Sequence, residues 1–129
     1  MDILRKSELF YLNPPSAKFL LNNLIVKMGC KCADDYLDFM SKFNGGEGQI
    51  GDRILALWTI EEQIEVNSLL DNEDTVFASK YWIFGSNSGI FQYVFDKNNG
   101  EILEIDRYDD AYRERMGTTL AEFIYNLMQ

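Results

Sequence analysis

Apolar residues at Ala17, Leu21, Leu24, Ile25 and Met28 recur at the spacing of one helix face. Pro14-Pro15-Ser16 precedes them and Gly29 follows, so the pattern predicts a helix with Ser16 as N-cap and glycine at its end. A second helix is predicted over Ala33 to Phe43, burying Tyr36, Leu37, Met40 and Phe43. Asn44-Gly45-Gly46-Glu47-Gly48 then reads as a turn that stops it, because Gly and Asn accept positive φ. Ile54 to Trp58 reads as a short buried strand. Thr59 with Glu62 three residues on is a capping-box pattern, which predicts a helix from Ile60 to about Leu70, ended by an acidic loop, Asp71-Asn72-Glu73-Asp74.

Three strands are expected next, over Val76 to Gly85, Ile90 to Asp96 and Glu101 to Asp106. Lys97-Asn98-Asn99-Gly100 joins the last two, and Asn-Gly is a strong hairpin signal. Ile102, Leu103 and Ile105 alternate imperfectly with Glu101, Glu104 and Asp106, which suggests one buried and one solvated sheet face. Thr119 with Glu122 opens a closing helix whose stripe is Leu120, Phe123, Ile124, Leu127 and Met128. The order predicts a single α+β domain over residues 1–129, with helices packed on one mixed, largely antiparallel sheet.

Composition narrows the chemistry. The 129 residues include no histidine, so Ser-His-Asp and Cys-His nucleophile systems are excluded, as is a His-Cys zinc site. With 12 Lys+Arg against 21 Asp+Glu the formal net charge is −9. Residues 1–43 carry six basic and five acidic groups, and residues 44–129 six basic and sixteen acidic. Such a surface repels phosphate backbones and favours a basic protein partner over nucleic acid. No apolar run is long enough to span a membrane, and the first residues lack a signal peptide's pattern. Cys30 and Cys32 lie too close together to staple a fold. These features lead us to expect a cytoplasmic protein.

The motifs that suggest chemistry each have a plainer reading. Gly46-Glu47-Gly48-Gln49-Ile50-Gly51 satisfies G-x-G-x-x-G, but a dinucleotide site needs a strand before it and a helix after it, and Glu47 would repel phosphate. A helix-terminating turn is the better reading. Asp96 to Gly100 resembles the start of a calcium loop, yet position twelve would be Arg107, and the hairpin explains the same residues. Lys27 and Lys31 flank the cysteines and could lower a thiol pKa. The adjacent carboxylates Asp34/Asp35, Glu61/Glu62, Glu73/Asp74 and Asp109/Asp110 read as solvated faces. No catalytic, cofactor or metal site is expected. Trp58 and Trp82 are expected in the core, which leaves Tyr108 and Tyr112 as possible anchors of a protein contact.

Tyr36-Leu37-Asp38-Phe39-Met40-Ser41-Lys42-Phe43-Asn44-Gly45-Gly46 resembles the "Y-x-x-F-hydrophobic-x-x-x-N-G-G" signature of the SUKH superfamily, with the Smi/Knr type the closest group. Leu57-Trp58-Thr59-Ile60-Glu61-Glu62 is similar to its "L-W-x-I-E-E" passage. Ile83 to Gly89 resembles its "I-G-S-D-G-G-G" stretch, here with Ser88-Gly89 in place of the glycine triplet, and Thr119 to Ile124 its closing "S-F-x-E-F-L" helix. The resemblance implies a domain without catalytic residues. Bacterial members are typically immunity proteins that neutralise a toxin domain, frequently a nuclease or deaminase. Fungal relatives are linked to cell-wall synthesis and signalling. The expectation is therefore an immunity protein whose acidic face covers a basic toxin. Candidate contacts are Glu47, Asp71, Glu73, Asp74, Asp106, Tyr108, Asp109 and Asp110, chosen for charge density and expected loop placement. The alternative is a regulatory or scaffold domain in cell-wall signalling or secretion.

Overall fold

The computed structural model describes residues 2–129, with the side chains of Asp2, Lys6 and Asp110 outside the description. Seven strands form one sheet in chain order: β1 (Phe10–Leu12), β2 (Gly46–Ile50), β3 (Arg53–Leu57), β4 (Tyr81–Ser86), β5 (Phe91–Asp96), β6 (Ile102–Asp106) and β7 (Asp109–Gly117). Every neighbouring pair is antiparallel. The helices are α1 (Asp2–Lys6), α2 (Lys18–Met28), α3 (Asp34–Lys42), α4 (Ile60–Glu73), α5 (Thr75–Lys80) and α6 (Leu120–Leu127). The fold is α+β with helices packed on one sheet, as the sequence predicts, and the sheet expected to be largely antiparallel is antiparallel at every pair.

Helices cover both faces of the sheet. On one face Leu24, Met28, Tyr36, Phe39 and Met40 of α2 and α3, with Leu120, Phe123 and Ile124 of α6, pack against Phe84, Tyr93, Phe95 and Ile102. Phe84 and Phe95 stack at 4.4 Å, and Phe123 meets the edge of Tyr93 at 4.8 Å. On the other face Leu70 of α4 and Phe77 and Ala78 of α5 cover Ile83, Val94 and Ile105. Both faces of β6 are therefore enclosed, and its single solvated face is corrected. Glu104 is 2% exposed.

Buried amides hold α4 to the sheet. β3 pairs with β4 only at Ala56↔Ser86 and Leu57↔Gly85, so the first half of β4 lacks a strand on that side. Asn67 of α4 fills the gap. Its Oδ1 accepts from the Ile83 N–H at 3.0 Å and its Nδ2 donates to the Ile83 carbonyl at 2.9 Å. One turn earlier, Gln63 Nε2 donates to Tyr36 Oη and the Trp58 carbonyl, and its Oε1 accepts from Trp82 Nε1. An amide presents a donor and an acceptor at peptide-like spacing, so a helix side chain substitutes for the missing strand.

Local capping largely follows expectation. The Thr59–Glu62 box is present, Thr119 accepts from the Glu122 N–H, and Gly29 closes α2 at φ 63°. The Lys97–Gly100 hairpin forms as expected, with Asp96 Oδ1 accepting from the Asn98 N–H. Five expectations are corrected. Ser16 does not cap α2; Ala17 occupies that position without a side-chain bond, following two prolines that already hold the chain extended. Phe39 is buried in α3, whereas Leu37 and Phe43 are only half-buried. The glycine segment is not a turn: Gly46 to Ile50 forms β2, and a Cβ at Gly48 would strike the Leu9 carbonyl of the crossing chain. The acidic loop is helical through Glu73, and Asp74 then caps α5 by accepting from the Phe77 N–H. Helix α5 replaces the first part of the strand expected from Val76, and β4 begins at Tyr81.

Ser88 sits at φ 62°, in the left-handed region that favours glycine, at a position where the motif it resembles carries glycine. A side chain there costs about 1 kcal/mol or more. Ser88→Gly is therefore expected to raise the midpoint of urea unfolding; a lower midpoint would show that the serine is not strained.

Candidate functional site

The structure gathers most of the proposed acidic contacts at one corner. Asp71 and Glu73 are exposed on the last turn of α4, and Asp74 follows at the α4–α5 junction. The β6–β7 turn carries Asp106, Tyr108 and Asp109; Asp106 Oδ1 accepts from the Tyr108 N–H and Asp109 Oδ1 from the Ala111 N–H. Arg107 Nη2 reaches Asp74 Oδ2 at 3.3 Å and ties the helical junction to the turn. Tyr108 is 94% exposed at this corner. The Asp110 side chain lies outside the described residues. Glu47 is elsewhere, exposed on β2 beside Ala56 of β3 and lining a cleft of about 280 Å³ with Glu62 and Ser86.

The corner is not uniformly negative. Lys80, Arg107 and Arg113 line a cleft of about 490 Å³ beside Asp74. The Arg107 guanidinium lies 4.7 Å over Phe77, and that of Arg113 5.5 Å over Tyr81. Asp74 is thus an ion-pair partner and helix cap. Asp71, Glu73 and Asp109 remain exposed, without ion pairs among the described residues. Asp35, expected on a solvated face, accepts from the Leu120 and Ala121 N–H groups and caps α6 from α3.

The composition and spacing of residues did not point to a second feature. A cleft of about 390 Å³ opens where the α3 and α6 side of the sheet is left uncovered. Arg53 of β3 reaches Glu104 of β6 there at 3.4 Å, although β4 and β5 lie between them in the sheet, so the sheet curls around this space. Tyr112 Oη lies 2.7 Å from Glu104 Oε1 and 2.9 Å from Glu114 Oε2. Phe91 stacks on Tyr112 at 5.0 Å. Tyr93 is fully buried at the cleft wall, and its hydroxyl has no hydrogen-bond partner. Burial, and then the Glu104 carboxylate, push the Tyr93 phenol well above its ordinary pKa; for Tyr112 the main cause is its hydrogen bond to Glu104. Both stay protonated at neutral pH. The only sequence signal for this site was a glutamate between Leu103 and Ile105 in an apolar strand.

The cysteines are free and half-buried. The expected lowering of a thiol pKa by Lys27 and Lys31 is overturned: burial pushes Cys30 up and Cys32 up to about 11. At neutral pH Cys32 then carries about a hundredfold less thiolate than an ordinary thiol of pKa 9.0. Iodoacetamide is expected to alkylate Cys32 correspondingly slowly in the native protein and at the normal rate after unfolding. Native alkylation as fast as that of free cysteine would refute the shift. Among the described residues no group of His, Cys, Asp and Glu is placed to hold a metal ion, and no helix is long and apolar enough to cross a membrane.

The motif residues do structural work that explains their spacing. Asn44 Oδ1 accepts from the Ile60 N–H at 2.8 Å and its Nδ2 donates to Glu61, locking the start of α4. Gly45, at φ 73°, passes so close to the Leu57 and Trp58 carbonyls that a Cβ would overlap them. No curated protein matches the chain. The model of the SMI1/KNR4 family (SUKH-1) matches residues 20–126, and the chain belongs to that family.

Proposed function

We propose that the protein is an immunity protein that binds a cognate toxin domain, one that acts on nucleic acid, and neutralises it by covering its basic surface in the cytoplasm. Family membership supports the class, since its domains are generally non-catalytic immunity or regulatory modules. The observation that carries the reading is the corner joining the α4–α5 junction to the β6–β7 turn. There Asp71, Glu73 and Asp109 stand exposed, as does Tyr108 beside Asp109 on the turn that Arg107 ties to Asp74, an arrangement suited to a basic partner. In this reading Asp106 and Asp110 belong to the same contact, Asp74 holds the corner through Arg107, and Glu47 lies outside it.

The mechanism is occlusion. Negative charge raises the encounter rate with a cationic surface, and an exposed phenol supplies contact area at low entropic cost. Co-expression with the polymorphic toxin encoded beside it is expected to restore growth and yield a complex in pull-down. Failure of both would overturn the proposal. An envelope phenotype on deletion, with no toxin present, would instead identify a regulatory domain of cell-wall signalling or secretion.

A further inference from the structure

We infer that the Glu104 cleft is a socket for a guanidinium, an arginine side chain presented by the partner protein; this rests on the reading that the partner is basic. Hydrogen-bond accounting carries the inference. Glu104 is buried as an acceptor, and its Oε2 has only a long 3.4 Å contact to Arg53, whose side chain is 45% exposed. Tyr112 Oη lies between Glu104 and Glu114 but owns one hydrogen, so it can serve only one of the two carboxylates. Tyr93 adds a buried hydroxyl that no hydrogen bond fixes, able to donate toward Glu104 and still accept from an incoming group. Two carboxylates, Glu104 and Glu114, are thus served by the single protons of Tyr112 and Tyr93 and one long Arg53 contact, which leaves acceptor sites open, and a buried carboxylate favours a charged donor.

A guanidinium fits better than an ammonium. Its planar fork of N–H groups can serve Glu104 and Glu114 together, while its face lies on the Phe91–Tyr112 stack. The chain's own Arg53 shows which group the site accepts, and its single 3.4 Å contact is the one an incoming guanidinium would replace. The cleft volume of about 390 Å³ is ample for such a side chain. Socket and acidic corner are distinct features, and a basic partner could use both.

The test is titration of the full chain with Nα-acetylarginine amide, followed by amide NMR shifts, with Nα-acetylnorleucine amide as control. Saturable shifts are expected at Tyr93, Glu104 and Tyr112 with arginine only, and Glu104→Gln is expected to weaken binding by about tenfold or more. If E104Q does not fold, Tyr93→Phe decides; it keeps the ring in the core, removes only the unpartnered hydroxyl, and is expected to weaken binding several-fold. No saturable shift, an equal response to norleucine, or unchanged affinity in the variant that folds overturns the inference. Growth rescue is scored separately. Rescue without arginine binding rejects the socket alone, and arginine binding without rescue rejects the toxin reading alone.

Discussion

Replacing Asn67 by alanine is expected to lower the unfolding free energy by about 3–5 kcal/mol, among the larger losses a single substitution produces. The change strands the Ile83 N–H and carbonyl in a buried place, where each unsatisfied group costs about 1–3 kcal/mol. Asn67→Asp should do no better, because it keeps an acceptor but loses the donor and buries a charge. Asn98→Ala, on an exposed hairpin turn, is the control and should change stability by less than about 0.5 kcal/mol. Urea unfolding of the three variants measures this directly. A loss below about 1 kcal/mol for Asn67→Ala would mean that water replaces the amide, and that α4 is not held to β4 by this bond.

If the proposed function holds, reversing three charges at the acidic corner, Asp71→Lys, Glu73→Lys and Asp109→Lys, is expected to weaken toxin binding by about a hundredfold or more. The formal net charge moves from −9 to −3, and the field that draws in a basic partner collapses. All three side chains are exposed, so the fold should survive. Most of the loss should fall on the association rate and shrink as salt is added, since screening already removes the same attraction. Kinetics at low and high salt with the purified toxin domain separate the cases. An association rate that neither the variant nor salt changes would place the interface elsewhere. The same triple reversal on β2 and neighbouring surfaces, away from this corner, should have a smaller effect.

Local signals were legible in the sequence where they act over a few residues. Thr59 with Glu62, Gly29, and Asn98-Asn99-Gly100 each fix a helix end or a hairpin by backbone geometry, and the structure has each where the sequence puts it. The same logic was available at Asp74, whose carboxylate caps α5, but the apolar run beginning at Val76 masked it. A short apolar run does not distinguish a strand from a helix by period alone. From its residues alone β2 reads as a turn, because glycine usually breaks structure. Here the chain at Leu9 and Phe10 runs beside it so closely that a side chain at Gly48 has no room. Strand β7 is an edge strand rich in polar residues, and it lacks the alternation that reveals a half-buried one.

By itself the sequence determined the fold class, most helix ends, the family and the total charge. All of these follow from residue type and from repeats of two or 3.6 residues. The tertiary structure decided what meets across the chain. Sheet curl brings Arg53 to Glu104, fifty-one residues apart; the turn after β6 brings Arg107 to Asp74, thirty-three apart; and α4 places Asn67 against Ile83, sixteen apart. Strand register and curvature set these contacts, and no local period encodes either. Asp74 is therefore a paired charge and not a free surface one, and Glu104 is the buried acid of an open cleft and not a solvated residue.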